Sequence, residues 1–297
     1  MSLVINNNMM AANTARNLNA HYSNLATSTQ RLSTGLRVNS AADDAAGLAI
    51  RELQRADIAA LHQGARNAND AISMIQTADG AMGVIDEKLI RLKELAEQAA
   101  TGTYDSTQRL MIESEYQAMA SEITRIANAT DFNGIHLLNG QLSGAEHDGS
   151  GMTSTGKMKI HFGSGNDSAE DYYYITIGNC TASALGVGNE SDPEGDGYTV
   201  STQEAAQKAL NAINEAIISK DKIRAHLGAM QNRLENTITN LNVQAENLQA
   251  AESRISDVDV ATEMTQFVRN QILTQSAVAM LGQANSLPQM AMQLIGG

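Results

Sequence analysis

The two ends of this chain are almost free of charge, although the chain as a whole is strongly acidic. Residues 1–42 contain no Asp or Glu, and residues 264–297 contain one charged residue, Arg269, while the whole chain has a formal net charge of −13. A free tail in water does not require such a composition. A crowded environment does, because each unpaired charge there would have to be desolvated. We therefore expect the two ends to pack together, inside an assembly.

The composition favours long helices packed side by side. The 297 residues are enough for one large domain or two ordinary ones. Hydrophobic residues make up 42% of the chain, but aromatic residues only 3%, and there is no Trp. Compact cores usually draw much of their burial from aromatic side chains. Here Ala, Leu, Ile, Val and 14 Met must take that role.

Spacings of three and four residues predict a coiled-coil helix over residues 4–36. The predicted seam of this helix consists of Leu18, Tyr22, Leu25, Thr29, Leu32 and Leu36. Gly35 and residues 38–40 interrupt the pattern. Ser40 suits the N-cap of a second helix, with Asp43 and Asp44 in its first turn complementing the helix dipole.

The second predicted helix continues to about Ala100 and would be roughly 80 Å long at the rise of an α-helix. A helix of that length is seldom built around one globular core. A turn at residues 101–103 precedes a third predicted helix, over residues 105–129. Its apolar positions again recur at helical spacing.

The middle of the chain has a different composition. Residues 134–197 hold 13 of the 23 glycines. Residues 141–200 contain nine acidic residues and two lysines, a net charge of −7. Two short runs, 157–162 and 172–177, are typical of β-strands. We expect a small, β-rich, solvated surface insert.

A helix is predicted again from about Ser201. Leucine or isoleucine recurs every seven residues at Leu227, Leu234, Leu241, Leu248 and Ile255. Heptads kept over this length imply a supercoiled partner, for which the N-terminal rod is the nearest candidate. Residues 255–259 are a predicted hinge. A last helix is predicted over residues 260–294, with Pro288 disturbing its end.

The chain is therefore predicted to be mainly α, a long antiparallel helical bundle or coiled coil of the N- and C-terminal segments with a small β-rich central insert. Three regions follow from this pattern. Residues 1–42 and 256–297 form a terminal coiled-coil domain, residues 43–140 and 201–255 a helical rod domain, and residues 141–200 an acidic, glycine-rich surface insert.

Charge and composition argue against several classes of function. An acidic chain without a basic stripe does not suit nucleic-acid binding or an anionic membrane surface. We find no run of about 18 apolar residues, as a transmembrane helix would need, and no secretory signal at the start. The acid-free first 42 residues could mimic a mitochondrial transit peptide, but their heptads favour a structural segment.

Candidate catalytic and metal sites have ordinary explanations. The six histidines are scattered without ligand spacing, and Cys180 has no nearby base, which predicts an inert or partly buried thiol. The acidic loop that starts at Asp192 resembles half of a calcium loop. However, Gln203 stands where a bidentate Glu is needed, and Pro193 does not suit the loop, so a solvated turn is the default. We expect no cofactor, no metal and no enzymatic activity.

Several long motifs, in order, resemble the bacterial flagellin family. They cover the start of the chain to about Gly140 and the end from about Leu210. The motifs are RLSTGLRVNSAADDAAGLAI (Arg31–Ile50), DFNG (Asp131–Gly134), SRISDVDVATE (Ser253–Glu263), QIL (Gln271–Leu273) and QANSLPQ (Gln283–Gln289). The insert matches little, so the resemblance implies a short form that lacks large outer domains.

The resemblance implies a structural subunit that self-assembles into the extracellular filament of the bacterial flagellum. The termini would line its central channel, and a head-to-tail contact that does not close would propagate as a helix. The implied partners are other copies of the chain, the flagellar export apparatus, an export chaperone that wraps the C-terminal helix, and the filament cap and hook-junction proteins.

Two groups of site residues follow. The resemblance implies that the flagellin-sensing Toll-like receptor of animal innate immunity contacts Arg91, Leu95 and Glu115, on a face that also supports protofilament contacts. Packing and spacing assign the assembly seam to Leu18, Leu25, Leu32, Phe267, Ile272, Met280 and Leu281. Two alternatives stay open, a hook–filament junction protein with similar low-charge ends and a helical signalling rod.

Overall fold

The computed structural model describes residues 7–148, 155–168, 170–188 and 197–295. These ranges contain mostly helix. The helices are α1 (Met9–Thr34), α2 (Ala45–Ala100), α3 (Ser106–Ala129), α4 (Ala182–Leu185), α5 (Gln203–Ser256) and α6 (Val260–Ile295). The strands are β1 (Asp131–Phe132), β2 (Ile135–His136), β3 (His147–Asp148), β4 (Thr155–Gly156), β5 (Met158–His161) and β6 (Tyr172–Ile175). The predicted fold class, mainly α with a small β-rich middle, is confirmed.

The chain divides into two compact units. The first, here called the terminal unit, comprises Met1–Ile58 and Glu246–Gly297. The second, here called the rod unit, comprises Ala59–Ala245. The boundaries fall inside α2 and α5, so each of these helices contributes to both units.

In the terminal unit, α1 and α6 run antiparallel to each other. The start of α1 meets the far end of α6 where the Asn8 side chain donates a hydrogen bond to the carbonyl of Ala284. At the other end of α1, Arg31 faces Glu263 in the first turn of α6. Gly35 ends α1 in the left-handed conformation, with φ of 73°, a backbone state that favours glycine. The interruption predicted at Gly35 is thus confirmed.

The face of α1 that packs inward differs from the predicted seam at two positions. The buried and half-buried positions of α1 lie on one face of the helix: Ala11, Thr14, Ala15, Leu18, His21, Leu25, Ser28, Arg31 and Leu32. Tyr22, at 51% exposure, and Thr29 lie outside this face. The predicted seam and the observed inward face both contain Leu18, Leu25 and Leu32, so the spacing of these leucines alone does not distinguish the two. Ser28 is the most buried residue of α1.

The second helix starts later than predicted, because Ser40 is not its N-cap. The helix begins at Ala45, and the Asp44 carboxylate accepts a hydrogen bond from the Gly47 amide at 2.9 Å. Asp43 instead closes the preceding turn, where its carboxylate accepts hydrogen bonds from the amides of Asn39 and Ser40. The two acids therefore precede the helix rather than belong to its first turn.

The rod unit is built on α2, α3 and α5, which share one hydrophobic core. Its most buried side chains are aliphatic, as the composition predicts: Ile75, Met82, Ile85, Leu89, Leu92, Leu95 and Ile123. Tyr116 on α3 is fully buried, and its hydroxyl donates a hydrogen bond to the carbonyl of Gly197 at 2.7 Å. Burial raises the pKa of this phenol far above its ordinary value.

The central insert packs into this core, which corrects the expectation of a solvated surface module. Nine of its apolar side chains are buried in the same cluster as the helices: Leu142, Met158, Ile175, Ile177, Cys180, Ala182, Leu185, Val187 and Val200. The two predicted β-runs form the antiparallel pair β5–β6, with Met158 opposite Ile175 and His161 opposite Tyr172. The net negative charge of the insert concealed these apolar positions, because composition averages over residues that face opposite ways.

Paired charges lie between α2 and α5 inside the rod unit. Lys220 is 1% exposed, and its ammonium lies 2.5 Å from Asp86 and 2.8 Å from Asp221. One turn further along α5, Arg224 donates two hydrogen bonds to the carboxylate of Asp79. Burial opposes the charge of Lys220, but the bonds to Asp221 and Asp86 outweigh it and raise the pKa of this ammonium.

The last helix has the predicted extent. A break between α5 and α6 lies at residues 257–259, within the predicted hinge. α6 then continues through Pro288 to Ile295, one residue past its predicted end. A proline removes one intrahelical hydrogen bond. Seven residues of helix follow it here, so the loss of that bond does not end the helix.

Candidate assembly and recognition surfaces

The inward face of α6 repeats at heptad spacing, like that of α1. Its buried and half-buried positions are Glu263, Phe267, Asn270, Thr274, Ala277, Leu281 and Ala284. Much of this face is polar. Arg31 lies 3.6 Å from Glu263, whose side chain is only 10% exposed, and the Thr274 hydroxyl donates to the carbonyl of Asn270. A small, polar seam buries little apolar surface, so it stabilises the pair only modestly.

The residues predicted for the assembly seam fall into two groups in the structure. Leu18, Leu25 and Leu32 on α1, with Phe267 and Leu281 on α6, lie half-buried on the inward faces. The other two, Ile272 at 57% exposure and Met280 at 58%, face away from α1. The structure thus brings five of the seven together and leaves two on the outside of the pair.

The outward face of the terminal unit is rich in exposed apolar side chains. On α6 these are Val260, Met264, Val268, Ile272, Leu273, Val278, Met280 and Met290. On α1, Met9, Met10 and Tyr22 are also exposed. The outward sides of α6 are thus more apolar than its inward face, the reverse of the pattern expected for a helix whose outer side stays in water. Exposed apolar surface of this extent marks an interaction surface.

Two chain breaks of the terminal unit are held together by backbone bonds. The Arg37 amide donates to the carbonyl of Ser256 at 2.7 Å, and its guanidinium donates to the carbonyl of Ile255 at 2.7 Å. The Val258 amide donates to the carbonyl of Gly35 at 3.0 Å. These bonds join the end of α1 to the break between α5 and α6. The motifs at 31–50 and 253–263 therefore meet in space.

Two aspartates hold the chain at these breaks: Asp43 closes the turn before α2, and Asp259 caps α6. Hydrogen bonds from the backbone and hydroxyl of Ser40 and the backbone of Asn39 lower the pKa of Asp43. Asp259 precedes α6, and bonds from Thr262 and Ala261 lower the pKa of its carboxyl. Both carboxylates are therefore held in the charged form at neutral pH.

Arg51 is a positioning residue that the sequence reasoning missed. It is 8% exposed and donates to the carbonyl of Val38 at 2.8 Å, while its other nitrogens contact Glu52. It thereby fixes the segment between α1 and α2. Its position just after the motif at 31–50 gave no reason to single it out, because an Arg on a helix is ordinarily solvated.

The predicted receptor contacts are arranged around one ion-pair network in the rod unit. The Arg91 guanidinium donates to Glu115 at 2.7 and 2.9 Å and to Glu94 at 2.9 Å. The hydrogen bonds to Glu115, and to a smaller extent the bond to Glu94, raise the pKa of Arg91. The side chains of Arg91 and Glu115 are each 45% exposed. This network joins α2 to α3 on an accessible surface.

Leu95 is placed differently from the other two predicted contacts. It is 1% exposed and belongs to the core of the rod unit. A side chain so deeply buried supports the surface from below rather than forming part of it. Met111, four residues before Glu115 on α3, is an exposed apolar side chain, at 70%.

Two further predicted sites are Cys180 and the acidic loop that starts at Asp192. Cys180 is buried, and burial raises the pKa of its thiol to about 11, as an inert thiol requires. The acidic part of the loop at 192–203, residues 192–196, lies outside the described residues. Among the residues that the structure does describe, no helix is long and apolar enough to cross a membrane, and no group of three or more His, Cys, Asp or Glu could hold a metal ion.

Comparisons with known proteins agree with this arrangement. The bacterial flagellin N-terminal helical region matches residues 5–143, and the bacterial flagellin C-terminal helical region matches residues 210–295. The chain is 40% identical over 293 residues to flagellin FlaB2 of Treponema pallidum, covering 99% of this chain and 100% of the relative. It is 39% identical over 307 residues to a flagellin of Bacillus subtilis, covering 98% and 99%.

A solved structure shares the fold alone. A protein described as a flagellar hook-associated protein of Vibrio parahaemolyticus aligns with a TM-score of 0.55 at 14% identity. The alignment covers 72% of this chain and 100% of that protein. At this identity the likeness concerns only the arrangement of the helices.

Proposed function

Because this chain belongs to the bacterial flagellin family, we propose that it is exported from the cell and polymerises there into the extracellular flagellar filament. The family is one of structural proteins, and the chain is a filament subunit rather than an enzyme. We further propose its extracellular location, its export route, its partners at each step and the residues that make the contacts.

The observation that carries this proposal is the apolar outer surface of α6. Exposed side chains such as Ile272 and Met280 would be costly to leave in water. Packing against further copies of the terminal unit would cover them. In this proposal the contact is head-to-tail, between different surfaces of the same chain, and its rotation leaves it open, so that it extends as a filament. In this proposal the terminal coiled-coil domain, residues 1–42 and 256–297, forms the filament core, with the rod domain and the insert outside it.

Removal of the last helix tests this proposal. Full-length chain and a chain lacking residues 260–297 are seeded with filament fragments and examined by electron microscopy. We expect long filaments from the first and soluble, helical protein from the second. Normal filaments from the truncated chain would contradict the proposal. A hook–filament junction protein would add to a filament end without elongating it, so filament length separates that alternative.

The extracellular location has its own test. Antibody against the folded rod unit is added to intact and to permeabilised cells, and bound antibody is imaged. We expect filaments to be labelled on intact cells. Labelling that requires permeabilisation would place the filament inside the envelope and would contradict this part of the proposal.

Export requires protection of α6 before assembly. A helix with regular apolar positions such as Phe267 and Leu281 can lie in an apolar groove. We propose that an export chaperone covers residues 260–297 and that the insert, residues 141–200, takes no part. The test is a pull-down of the export chaperone with each segment. Binding that depends on the insert would contradict this assignment. In the same proposal, the export apparatus acts before assembly, and the cap and hook-junction proteins act at assembly.

Recognition by the innate Toll-like receptor is proposed for the Arg91–Glu115 surface. The chain offers a matched control, because Arg125 and Glu122 form a similar exposed ion pair elsewhere on α3. We expect Arg91→Ala or Glu115→Ala to weaken receptor activation by purified monomers, and Arg125→Ala to have no such effect. Central Arg contacts can be worth about 2 kcal/mol or more. Equal activation by all variants would leave Arg91 as an ordinary surface charge. Leu95 supports this surface from the core, so Leu95→Ala should lower stability as well.

A further inference from the structure

The methionines of the two units differ in exposure. Among the side chains that the structure describes, those of the terminal unit are between 45% and 65% exposed: Met9, Met10, Met264, Met280 and Met290. These five residues are here called the terminal methionines. Apart from Met111, the described methionines of the rod unit are buried or half-buried: Met74, Met82, Met119, Met158 and Met230. The unit with the apolar outer surface therefore also holds its methionines in contact with solvent.

Methionine suits a surface that has to pack against another copy of the chain. Its side chain is unbranched and polarizable, so it adapts to irregular contacts. On the outward side of α6, Met264 lies one turn before Val268, and Val268 lies one turn before Ile272. The aliphatic residues of this surface are inert to mild oxidants, whereas the thioether of methionine is oxidised readily. Oxidation can thus change this surface through its methionines alone.

A peroxide is the class of oxidant that this chemistry needs. The methionine sulfur attacks one peroxide oxygen, so that an S–O bond forms while the O–O bond breaks. The sulfur loses two electrons and becomes a sulfoxide, and hydrogen peroxide is reduced to water. The product carries a polar oxygen that accepts hydrogen bonds. Burial of that oxygen in a packed contact costs free energy unless a donor meets it.

We propose that the terminal methionines are a modification site at which a peroxide controls assembly. Their oxidation in the free subunit blocks polymerisation, and reduction of the sulfoxides restores it. This inference rests on the proposed function, in which further copies of the terminal unit cover the outward side of α6. Assembly then covers the terminal methionines as well, so the free subunit is the form that the oxidant modifies.

Seeded growth of the oxidised full-length monomer tests the proposal. Monomer is treated with hydrogen peroxide, freed of the oxidant and seeded with filament fragments, and peptide mass spectrometry locates the sulfoxides. We expect sulfoxides at the terminal methionines and at Met111, but not at the buried Met74 and Met82. The rate of filament growth should fall about tenfold or more, because the contact must bury unpaired polar oxygens. Methionine sulfoxide reductases for both epimers should restore it.

Leucine substitutions separate the terminal methionines from the rest of the chain. Leucine has nearly the volume of methionine but no sulfur, so the exchange is well tolerated. A variant with leucine at all five terminal methionines should polymerise equally well before and after peroxide. If it does not polymerise before treatment, the variant with only Met264→Leu, Met280→Leu and Met290→Leu replaces it. Met111→Leu is the matched control, because Met111 is 70% exposed but lies on α3, and it should stay as sensitive as the parent chain.

The outcomes distinguish this inference from the proposed function. An untreated parent chain that does not polymerise would overturn both. If the untreated chain polymerises, equal growth by the oxidised chain would overturn this inference alone. So would sensitivity to peroxide that persists in the leucine variant or disappears in Met111→Leu. Thermal melting of the oxidised monomer should match that of the untreated one, and an early melt would assign the lost growth to unfolding and overturn the inference.

Discussion

The terminal unit and the rod unit use the same seven-residue repeat but bury it to different depths. Within the single helix α5, Leu227 and Leu234 in the rod unit are at most 1% exposed. Leu248 and Ile255 continue the repeat into the terminal unit, where they are only half-buried. The repeat therefore shows which side of a helix packs. How deeply it packs depends on how many other elements surround it, and the rod unit adds α3 and the insert.

The two units also differ in the polar groups that they bury. The rod unit buries an ion pair, Lys220 with Asp86, inside a large aliphatic core. The terminal unit buries small polar side chains such as Ser28, Thr274 and Ser256 together with the charged Arg51 and Glu263, whereas the large aliphatic core lies in the rod unit. A seam with little buried apolar surface stabilises little on its own. The rod unit is accordingly built to be stable alone, and the terminal unit to gain its stability on assembly.

Removal of the buried charge at Lys220 should give the largest difference in stability between variants of the two units. Lys220→Ala leaves two carboxylates without their partner, and we expect a loss of about 3 kcal/mol in unfolding free energy. Lys220→Met should lose less, because it fills the same space without a charge. Arg31→Ala, which removes the longer pair with Glu263 in the terminal unit, should cost under about 1 kcal/mol. Urea unfolding of the monomers measures all three, and equal losses at Lys220 and Arg31 would contradict the difference between the units.

Close packing provides a second contrast, through two helical glycines. A Cβ on Gly64 would lie 1.9 Å from the carbonyl oxygen of Phe162, whereas one on Gly282 in α6 would meet nothing within 4 Å. We expect Gly64→Ala to destabilise by about 1–3 kcal/mol, because backbone must move. Gly282→Ala should stabilise α6 by up to about 1 kcal/mol. Thermal melting of the two variants would refute the contrast if both lost stability alike.

Much of the helical fold could be predicted from the sequence, because heptad spacing and glycine breaks are local features. The third helix, the two β-runs and the breaks at Gly35 and near residue 257 all lie where the spacing predicts them. The choice between His21 and Tyr22 on the inward face could not be predicted, because both frames share the same leucines. Only the partner helix decides between them.

The candidate surfaces were less predictable than the helices. Arg91 and Glu115 pair although they stand 24 residues apart on two helices, a contact for which spacing gives no rule. Leu95 has the same residue type as exposed leucines elsewhere, and its burial depends on which side of α2 faces the core. The net negative charge of the insert gave no sign that its apolar residues are buried. In each case the deciding factor is tertiary packing.

An acidic residue placed on the outside of α6 tests whether this face is an assembly surface, without unfolding the chain. Met280 is 58% exposed, and so is its rod-unit counterpart Ile218 on α5, at 53%. Both Met280→Asp and Ile218→Asp should change monomer stability by no more than about 0.5 kcal/mol, as exposed substitutions usually do. We expect Met280→Asp to block seeded polymerisation, because assembly would bury an unpaired acid. Equal polymerisation by the two variants would show that the apolar face of α6 is not an assembly surface.

The smallest expected effect is a pH dependence at the start of α6. Hydrogen bonds from Thr262 and Ala261 hold the pKa of Asp259 below its unfolded value of about 3.9. Its contribution to stability is therefore complete above that unfolded value, and it is lost as the pH falls through the lower, folded value. Asp259→Asn keeps an acceptor for the cap at neutral pH but cannot titrate. Amide exchange of residues 260–264, corrected for intrinsic rates, should quicken in acid in the parent chain and less so in the variant. An identical acid response in both would mean that Asp259 does not couple the terminal unit to pH.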